Sequence, residues 1–329
     1  MIISRTPHRI SFFGGGTDYP DYYLKHGGKV LGTAIDKYCY LSLRKLPPYF
    51  EFKHRVVYSK IENVNTTCEI IHPAVRETLK YLNIDFGVSV HHDGDIPAKS
   101  GMGSSSAFTV GMLNSLYALN GKMVSREELT REAIHVEQKL IKESVGSQDQ
   151  AFAAHGGFNI IEFLQNGEIF VEPIIITPER LIAFEDRLML FFTGLSRIAS
   201  DIASDKIKNI PNNNQNLSRM KNLVGDAYKI IISPNRNLNE FGELMNETWE
   251  LKKSLSDKIS NQEIEEMYDA AIKNGAIGGK LCGAGGGGFM LLYVKPHNQK
   301  KVKEELKNYL HVPFKFDFDG SKIIVYKPN

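Results

Sequence analysis

The sequence predicts an α+β protein of two packed domains, and three observations predict it. A chain of 329 residues that is 42% apolar is longer than one core usually serves. Its first third reads as short strands. Its last third mixes helices with apolar strands behind a polar break.

The strands expected first lie at 10–13, 29–34, 39–43 and 88–92, β-branched or aromatic runs between Gly, Asp and Pro clusters. A helix at about 73–82 interrupts them. From Ser104 the pattern changes, because Phe108, Met112, Leu113, Leu116 and Leu119 recur at helical spacing. A second helix is expected over 125–142, with Ser125 as N-cap and Glu128 at capping-box distance. Strands follow at 158–163 and 169–176, and a buried strand at 188–192 ends at Thr193-Gly194. The change of domain is set there, giving units of 1–185 and 186–329. The stretch 209–216, Pro211 in a run of Asn and Gln, is expected as a loop or linker, since it has no apolar surface to bury. Beyond it come helices at 239–255 and 262–274, a Gly-rich loop, a strand at 289–294, a helix at 297–310 and closing strands near Phe314 and Ile323, a small layered α+β unit.

Charge and cysteine content exclude several classes. Forty basic against thirty-eight acidic side chains leave a formal charge of +2 with the signs interspersed, which argues against nucleic acid as partner. Cys39, Cys68 and Cys282 are widely separated, with no C-x-x-C pair, as expected of reduced cytoplasmic thiols. No leader pattern opens the chain and no apolar run approaches the roughly 18 residues of a membrane span, so a cytoplasmic protein without membrane contact is expected. His91-His92-Asp93 is not a metal site on this reading, because neighbours on a strand point to opposite faces.

Three glycine-rich segments carry the chemistry. Pro97 to Ala107, with Lys99, Ser100, Gly101, Met102, Gly103, Ser104, Ser105 and Ser106, stands between a strand and the first turn of a long helix. Glycine lets backbone curl round a polyanion, and free amides and the helix dipole attract it. For this loop alone, three serines that merely cap a helix remain an equal alternative. It is no P-loop, for G-x-x-x-x-G-K-[ST] occurs nowhere in the chain. The second segment, Lys280 to Phe289, formally contains G-x-G-x-x-G, but its glycines lead into an apolar strand near the end of the chain rather than from strand to helix, which rejects a dinucleotide fold. The third, Arg5 to Pro20, is a strand with Arg5 and Arg9 that ends in the turn Gly14-Gly15-Gly16-Thr17-Asp18.

Taken together, the segments resemble the three motifs of the GHMP superfamily of small-molecule kinases. The family's second motif, P-x-x-x-G-L-G-S-S-A, is followed at Pro97 to Ala107, with Met102 for Leu and Ser106 for the first Ala; its third, G-A-G-G-G-G, recurs at Gly283 to Gly288. The resemblance implies an N-terminal domain similar to the second domain of ribosomal protein S5, a ferredoxin-like C-terminal domain and an active site between them. It implies ATP and Mg2+ as cofactors. It assigns Asp149, in Gly146-Ser147-Gln148-Asp149-Gln150, as general base with Arg9 beside it, Lys99 to Ser106 as the ATP phosphate loop, and Ser105 with Glu137 as metal ligands, Glu143 being the rival carboxylate. Gly14, Gly15, Gly16, Thr17, Asp18, Gly285, Gly286 and Arg197 are assigned to the acceptor, and Arg5, Lys99 or Arg197 to a distal phosphate. Thr17-Asp18-Tyr19 favours a sugar, while glycines at 15 and 16, where galactokinases carry Glu and His, disfavour galactose.

The Phe13-Gly14-Gly15-Gly16-Thr17-Asp18-Tyr19-Pro20 wording, G-S-Q-D-Q and Thr193-Gly194-Leu195-Ser196-Arg197 are most similar to D-glycero-D-manno-heptose 7-phosphate kinases, with L-fucose kinase domains as more distant kin. That implies phosphorylation of the anomeric hydroxyl to a 1,7-bisphosphate, in GDP-heptose biosynthesis for bacterial surface polysaccharide, by a monomer or homodimer. The alternatives are a kinase of another sugar such as L-fucose, a non-catalytic nucleotide- or sugar-binding regulator, or a diphosphomevalonate decarboxylase.

Overall fold

The computed structural model describes residues 1–194 and 213–327. It is α+β, as expected, with two antiparallel-rich sheets.

The first sheet is built on two long strands, β1 (Ile2–Phe13) and β2 (Gly28–Lys45), joined through α1 (Pro20–His26). Two separately expected strands are thus one, because residues 35–38 continue pairing with β1 across a register shift at Pro7/His8. Length lets β2 hold different neighbours at its two ends: residues 39–45 pair with β5 (Val88–Gly94) and residues 28–33 with β6 (Phe158–Phe163). A hairpin of β3 (His54–Val57) and β4 (Ile61–Val64) extends one side, and β7 (Ile169–Pro173) pairs with β6.

Behind this sheet pack α2 (Pro73–Tyr81), α3 (Ser104–Leu119), α4 (Arg126–His135) and α5 (Gln148–His155). Ser125 caps α4 by accepting the Glu128 N–H at 3.1 Å. The helix expected to run on to 142 instead widens into a π turn, Val136–Ile141, and stops at Lys142 with φ +64°.

The second sheet has the order β11-β8-β10-β9, from β8 (Leu188–Phe192), β9 (Ala276–Leu281), β10 (Phe289–Val294) and β11 (Leu310–His311). Its helices are α6 (Pro178–Glu185), α7 (Asn214–Ile232), α8 (Asn239–Lys253), α9 (Gln262–Lys273) and α10 (Pro296–Glu305). The Gly-rich loop therefore joins two strands, not a helix and a strand. α10 ends before 310, and the closing strand expected near Phe314 is the short β11 with an isolated bridge from Phe316 to Ile35. The last strand, β12 (Lys322–Tyr326), crosses back to pair with β1.

Phe12 and Phe13, at the end of β1, anchor the two sheets to each other. Phe12 meets Phe184 of α6 and Phe241 of α8 edge-on at 5.7 and 5.5 Å, and Phe13 meets Phe241 at 4.9 Å. Such pairs add about 0.5–1.5 kcal/mol each beyond burial of their area. The turn that follows Phe13 is thus held on a rigid core.

Candidate active site

β1 delivers Arg9 and Ser11 to the wall of a 440 Å³ cavity, which Gly15, Gly16 and Asp18 also line. Arg9 is 5% exposed. Its Nε and Nη2 donate to the two carboxylate oxygens of Asp149 at 2.8 and 2.7 Å, and its Nη1 to the Gly101 carbonyl at 2.7 Å. This planar two-point contact fixes the carboxylate's orientation, which a lysine would not do. Asp149 lies in the first turn of α5, which the G-S-Q-D-Q segment begins.

Asp18 is 1% exposed, and its carboxylate accepts N–H groups from Gly16 at 2.9 Å and Gln148 at 3.4 Å. Burial, with the Asp149 charge adding to it, pushes its pKa up. Gly146 has to be glycine beside it: a Cβ there would stand 1.9 Å from the Asp18 Oδ2.

The loop before α3 ends in left-handed Gly103, φ +76°. Ala107 makes the first intrahelical bond, to the Gly103 carbonyl at 2.9 Å, so the amides of Ser104, Ser105 and Ser106 precede the ladder and are available to an anion. Lys99, at φ +60°, holds a conformation that costs a non-glycine residue about 1–2 kcal/mol. Met102 turns its side chain into the core and contributes only backbone, its carbonyl accepting the Arg9 N–H at 3.1 Å.

The two acidic residues proposed for a metal are separated by the π turn. Glu143 lines the cavity, with the Ser105 hydroxyl 3.4 Å from its Oε2. Glu137 is fully buried, accepting from the Ser106 hydroxyl at 2.8 Å and from the Gln150 amide. Burial raises its pKa to about 7, and the nearby Glu143 adds to the rise while hydrogen bonds from Thr109, Ser106 and Gln150 oppose it. Ser105 thus faces Glu143, and Ser106 faces Glu137. The set fits a hard divalent cation, since it is all oxygen and the Glu137 Oε1 and Ser104 Oγ are buried without a hydrogen-bond partner.

Several acceptor expectations do not reach the cavity. Gly14 closes the turn, where a Cβ would meet the Lys29 carbonyl at 1.9 Å, and the Thr17 hydroxyl is spent on the Gly14 and Lys29 carbonyls at 2.8 and 3.0 Å. Gly285 and Gly286 pack on Ile259, Gly286 donating to its carbonyl at 2.8 Å; Gly283 and Ala284 line the wall instead. Arg5 is tied to Asp319 at 3.1 Å and stacked on Tyr38. Arg197 lies outside the described residues.

Among the lining residues missed from sequence are two cations, Lys252 of α8 and Lys280 of β9. The legible signal was a lysine on the apolar face of an amphipathic helix and another inside a buried strand. No group of three or more His, Cys, Asp or Glu side chains able to hold a metal occurs among the described residues, His91 to Asp93 included. No helix among them is long and apolar enough to cross a membrane.

Models of known families match twice: the GHMP kinases N terminal domain over residues 69–157 and the GHMP kinases C terminal domain over 228–312. D-glycero-alpha-D-manno-heptose 7-phosphate kinase of Campylobacter jejuni is 30% identical over 98% of this chain and 98% of its own. Mevalonate kinase of Pyrococcus abyssi is 29% identical over 93% of this chain and 92% of its own. A solved D-glycero-D-manno-heptose 1-phosphate kinase from Bacteroides thetaiotaomicron shares the fold with a TM-score of 0.79, at 24% identity and 98% coverage of both chains.

Proposed function

The chain belongs to the GHMP kinases, and from that membership we propose that it transfers the γ-phosphoryl group of ATP to the anomeric hydroxyl of D-glycero-α-D-manno-heptose 7-phosphate, giving the 1,7-bisphosphate. The reaction class, phosphoryl transfer to an alcohol acceptor, follows from membership among the kinases of this family. The acceptor is taken from the Campylobacter jejuni relative, whose name states it. A buried Asp18 on the cavity lining supports a polyhydroxylated acceptor, since a carboxylate that two amides hold in place is suited to receive hydroxyl donors.

The single observation that carries the proposal is the Arg9–Asp149 pair, on the same cavity as the Ser104–Ser106 helix start. Asp149 accepts the acceptor's hydroxyl proton as the oxygen forms its bond to the γ-phosphorus and the bond to the β-phosphate oxygen breaks, releasing ADP. A loose transition state asks chiefly for alignment and neutralised charge. Arg9 holds the carboxylate aimed, and the amides of residues 104–106 receive phosphate oxygens. Mg2+, held by Ser105 with Glu143 or Glu137, would neutralise charge on the phosphates.

The test is ADP release with Mg2+ and ATP against heptose 7-phosphate, L-fucose, D-galactose, D-mannose and (R)-mevalonate. The highest kcat/KM is expected with the heptose phosphate. Faster turnover of mevalonate, or of an unphosphorylated sugar, would overturn the assignment.

A further inference from the structure

We infer that Ser11 and Gln148 are specificity-determining residues that together receive one hydroxyl group of the acceptor, in the open space over Gly15. The inference rests on the proposed function and deepens it.

Among the described residues, four that line the cavity carry a buried polar atom without a hydrogen bond: the Oγ atoms of Ser11, Ser100 and Ser104 and the Oε1 of Gln148. Such atoms are rare, because a polar group taken from water without a partner is costly. Ser100 and Ser104 sit in the loop and helix start assigned to the phosphates. Ser11 and Gln148 come from elsewhere, from β1 and from the first residue of α5, and each is 8% exposed.

Their placement is beside the transfer site. Alternate residues of a strand face the same way, so Ser11 follows Arg9 along the cavity wall, and Gln148 immediately precedes Asp149. The pair therefore flanks the Arg9–Asp149 contact on both of its elements. Each backbone is fixed: Ser11 is paired with Gly32 of β2, and the Gln148 N–H donates to the buried Asp18 carboxylate at 3.4 Å. Apart from its chain neighbours, a Cβ on Gly15 would meet only these two residues within 4 Å, the Ser11 Oγ at 3.8 Å and the Gln148 Nε2 at 3.9 Å. The missing side chain thus leaves a space bordered by a hydroxyl and a carboxamide. The Gln148 Oε1 only accepts, so it asks for a donor, which a sugar hydroxyl is and a phosphate oxygen is not. An apolar acceptor would leave both residues unpaired.

A resident water is the rival occupant, and substitution separates the two. Ser11→Ala and Gln148→Met remove the polar group and keep nearly the same shape. Each is expected to raise KM for D-glycero-D-manno-heptose 7-phosphate about 5- to 30-fold, while KM for ATP moves less than about twofold. The Tm of the unliganded protein should stay or rise, since a buried atom without a partner has been removed. Of the deoxy analogues lacking the C2, C3 or C4 hydroxyl, one should lose at least about tenfold in kcat/KM with the unaltered enzyme. In both variants that penalty should shrink to within about threefold. A deoxy penalty that the variants keep gives the space to water and overturns the inference, as does a lowered Tm with an unmoved acceptor KM. Should either variant fail to fold, Gly15→Ala decides, because its methyl fills the space without a contact closer than 3.8 Å. It should raise the acceptor KM at least about tenfold, and an unchanged KM contradicts the inference. Failure of the unaltered enzyme to turn over the heptose phosphate would instead sink the proposed function, and this inference with it.

Discussion

The two glycine-rich loops look alike in sequence and differ in their work. The loop at 99–106 opens a helix, and its left-handed Gly103 stands clear of other backbone, the nearest atom to a Cβ there being the Arg9 Cγ at 3.3 Å. The loop at 283–288 joins β9 to β10, is closed by the Cys282 N–H to the Phe289 carbonyl at 2.8 Å, and presses on the first loop. A Cβ at Gly288 would stand 2.2 Å from the Ser100 carbonyl oxygen, and one at Gly283 would stand 2.4 Å from the Gly101 Cα. One loop leaves the amides of residues 104–106 ahead of the helical ladder; the other is a backbone buttress that fixes where those amides lie. Glycine composition alone does not distinguish the two roles, but what each glycine touches does.

Exchanging glycine for alanine should separate them most strongly. Gly288→Ala combines a backbone clash with φ +103°, and overpacking together with the conformational strain should cost about 3–5 kcal/mol. Gly103→Ala meets no backbone, only the Arg9 side chain at 3.3 Å and the Asp149 carboxylate at 3.6 Å, so about 1–2 kcal/mol is expected from its left-handed backbone, with KM for ATP raised. Urea unfolding of both variants checks this, and equal losses would dissolve the distinction.

A smaller effect sharpens the comparison from beneath the first loop, where Ser106 sits on buried Glu137, a carboxylate the second loop lacks. Its folded-state pKa of about 7 stands above the ordinary 4.5, so between those values the native state binds more protons than the unfolded one. Stability therefore falls as pH rises through that window, by up to roughly 3 kcal/mol from this group. Glu137→Gln should flatten that part of the stability profile measured without metal. An unchanged slope would contradict the burial of a proton-holding carboxylate there.

Much of this was legible before the structure. β10 and α3 followed from apolar runs and helical period, and the cap at Ser125 from its position. Arg9, Asp18, Asp149 and the serine loop do gather on one cavity. What stayed hidden had physical causes. β9 carries Gly278, required because a Cβ would meet the Gly242 carbonyl at 2.0 Å, and such glycines dilute a strand's signature. α7 begins in the Asn-rich run that suggested a loop, although Leu217, Met220, Leu223, Val224, Ala227 and Ile231 are buried at helical spacing along it. α6 has a start signal in Thr177, which accepts the Arg180 N–H at 3.3 Å, and in Pro178, and the sequence reading passed over it between two expected strands. Lys252 and Lys280 escaped because no motif marks them; only the packing of α8 and β9 brings their heads to the cavity.

The central claim is that Asp149, aimed by Arg9, takes the acceptor's proton, and Asp149→Asn tests it most directly because it preserves shape and removes the charge. Single-turnover phosphoryl transfer should slow by about 100- to 10,000-fold while ATP binding changes little. A variant that transfers within tenfold of the unaltered rate would contradict the account.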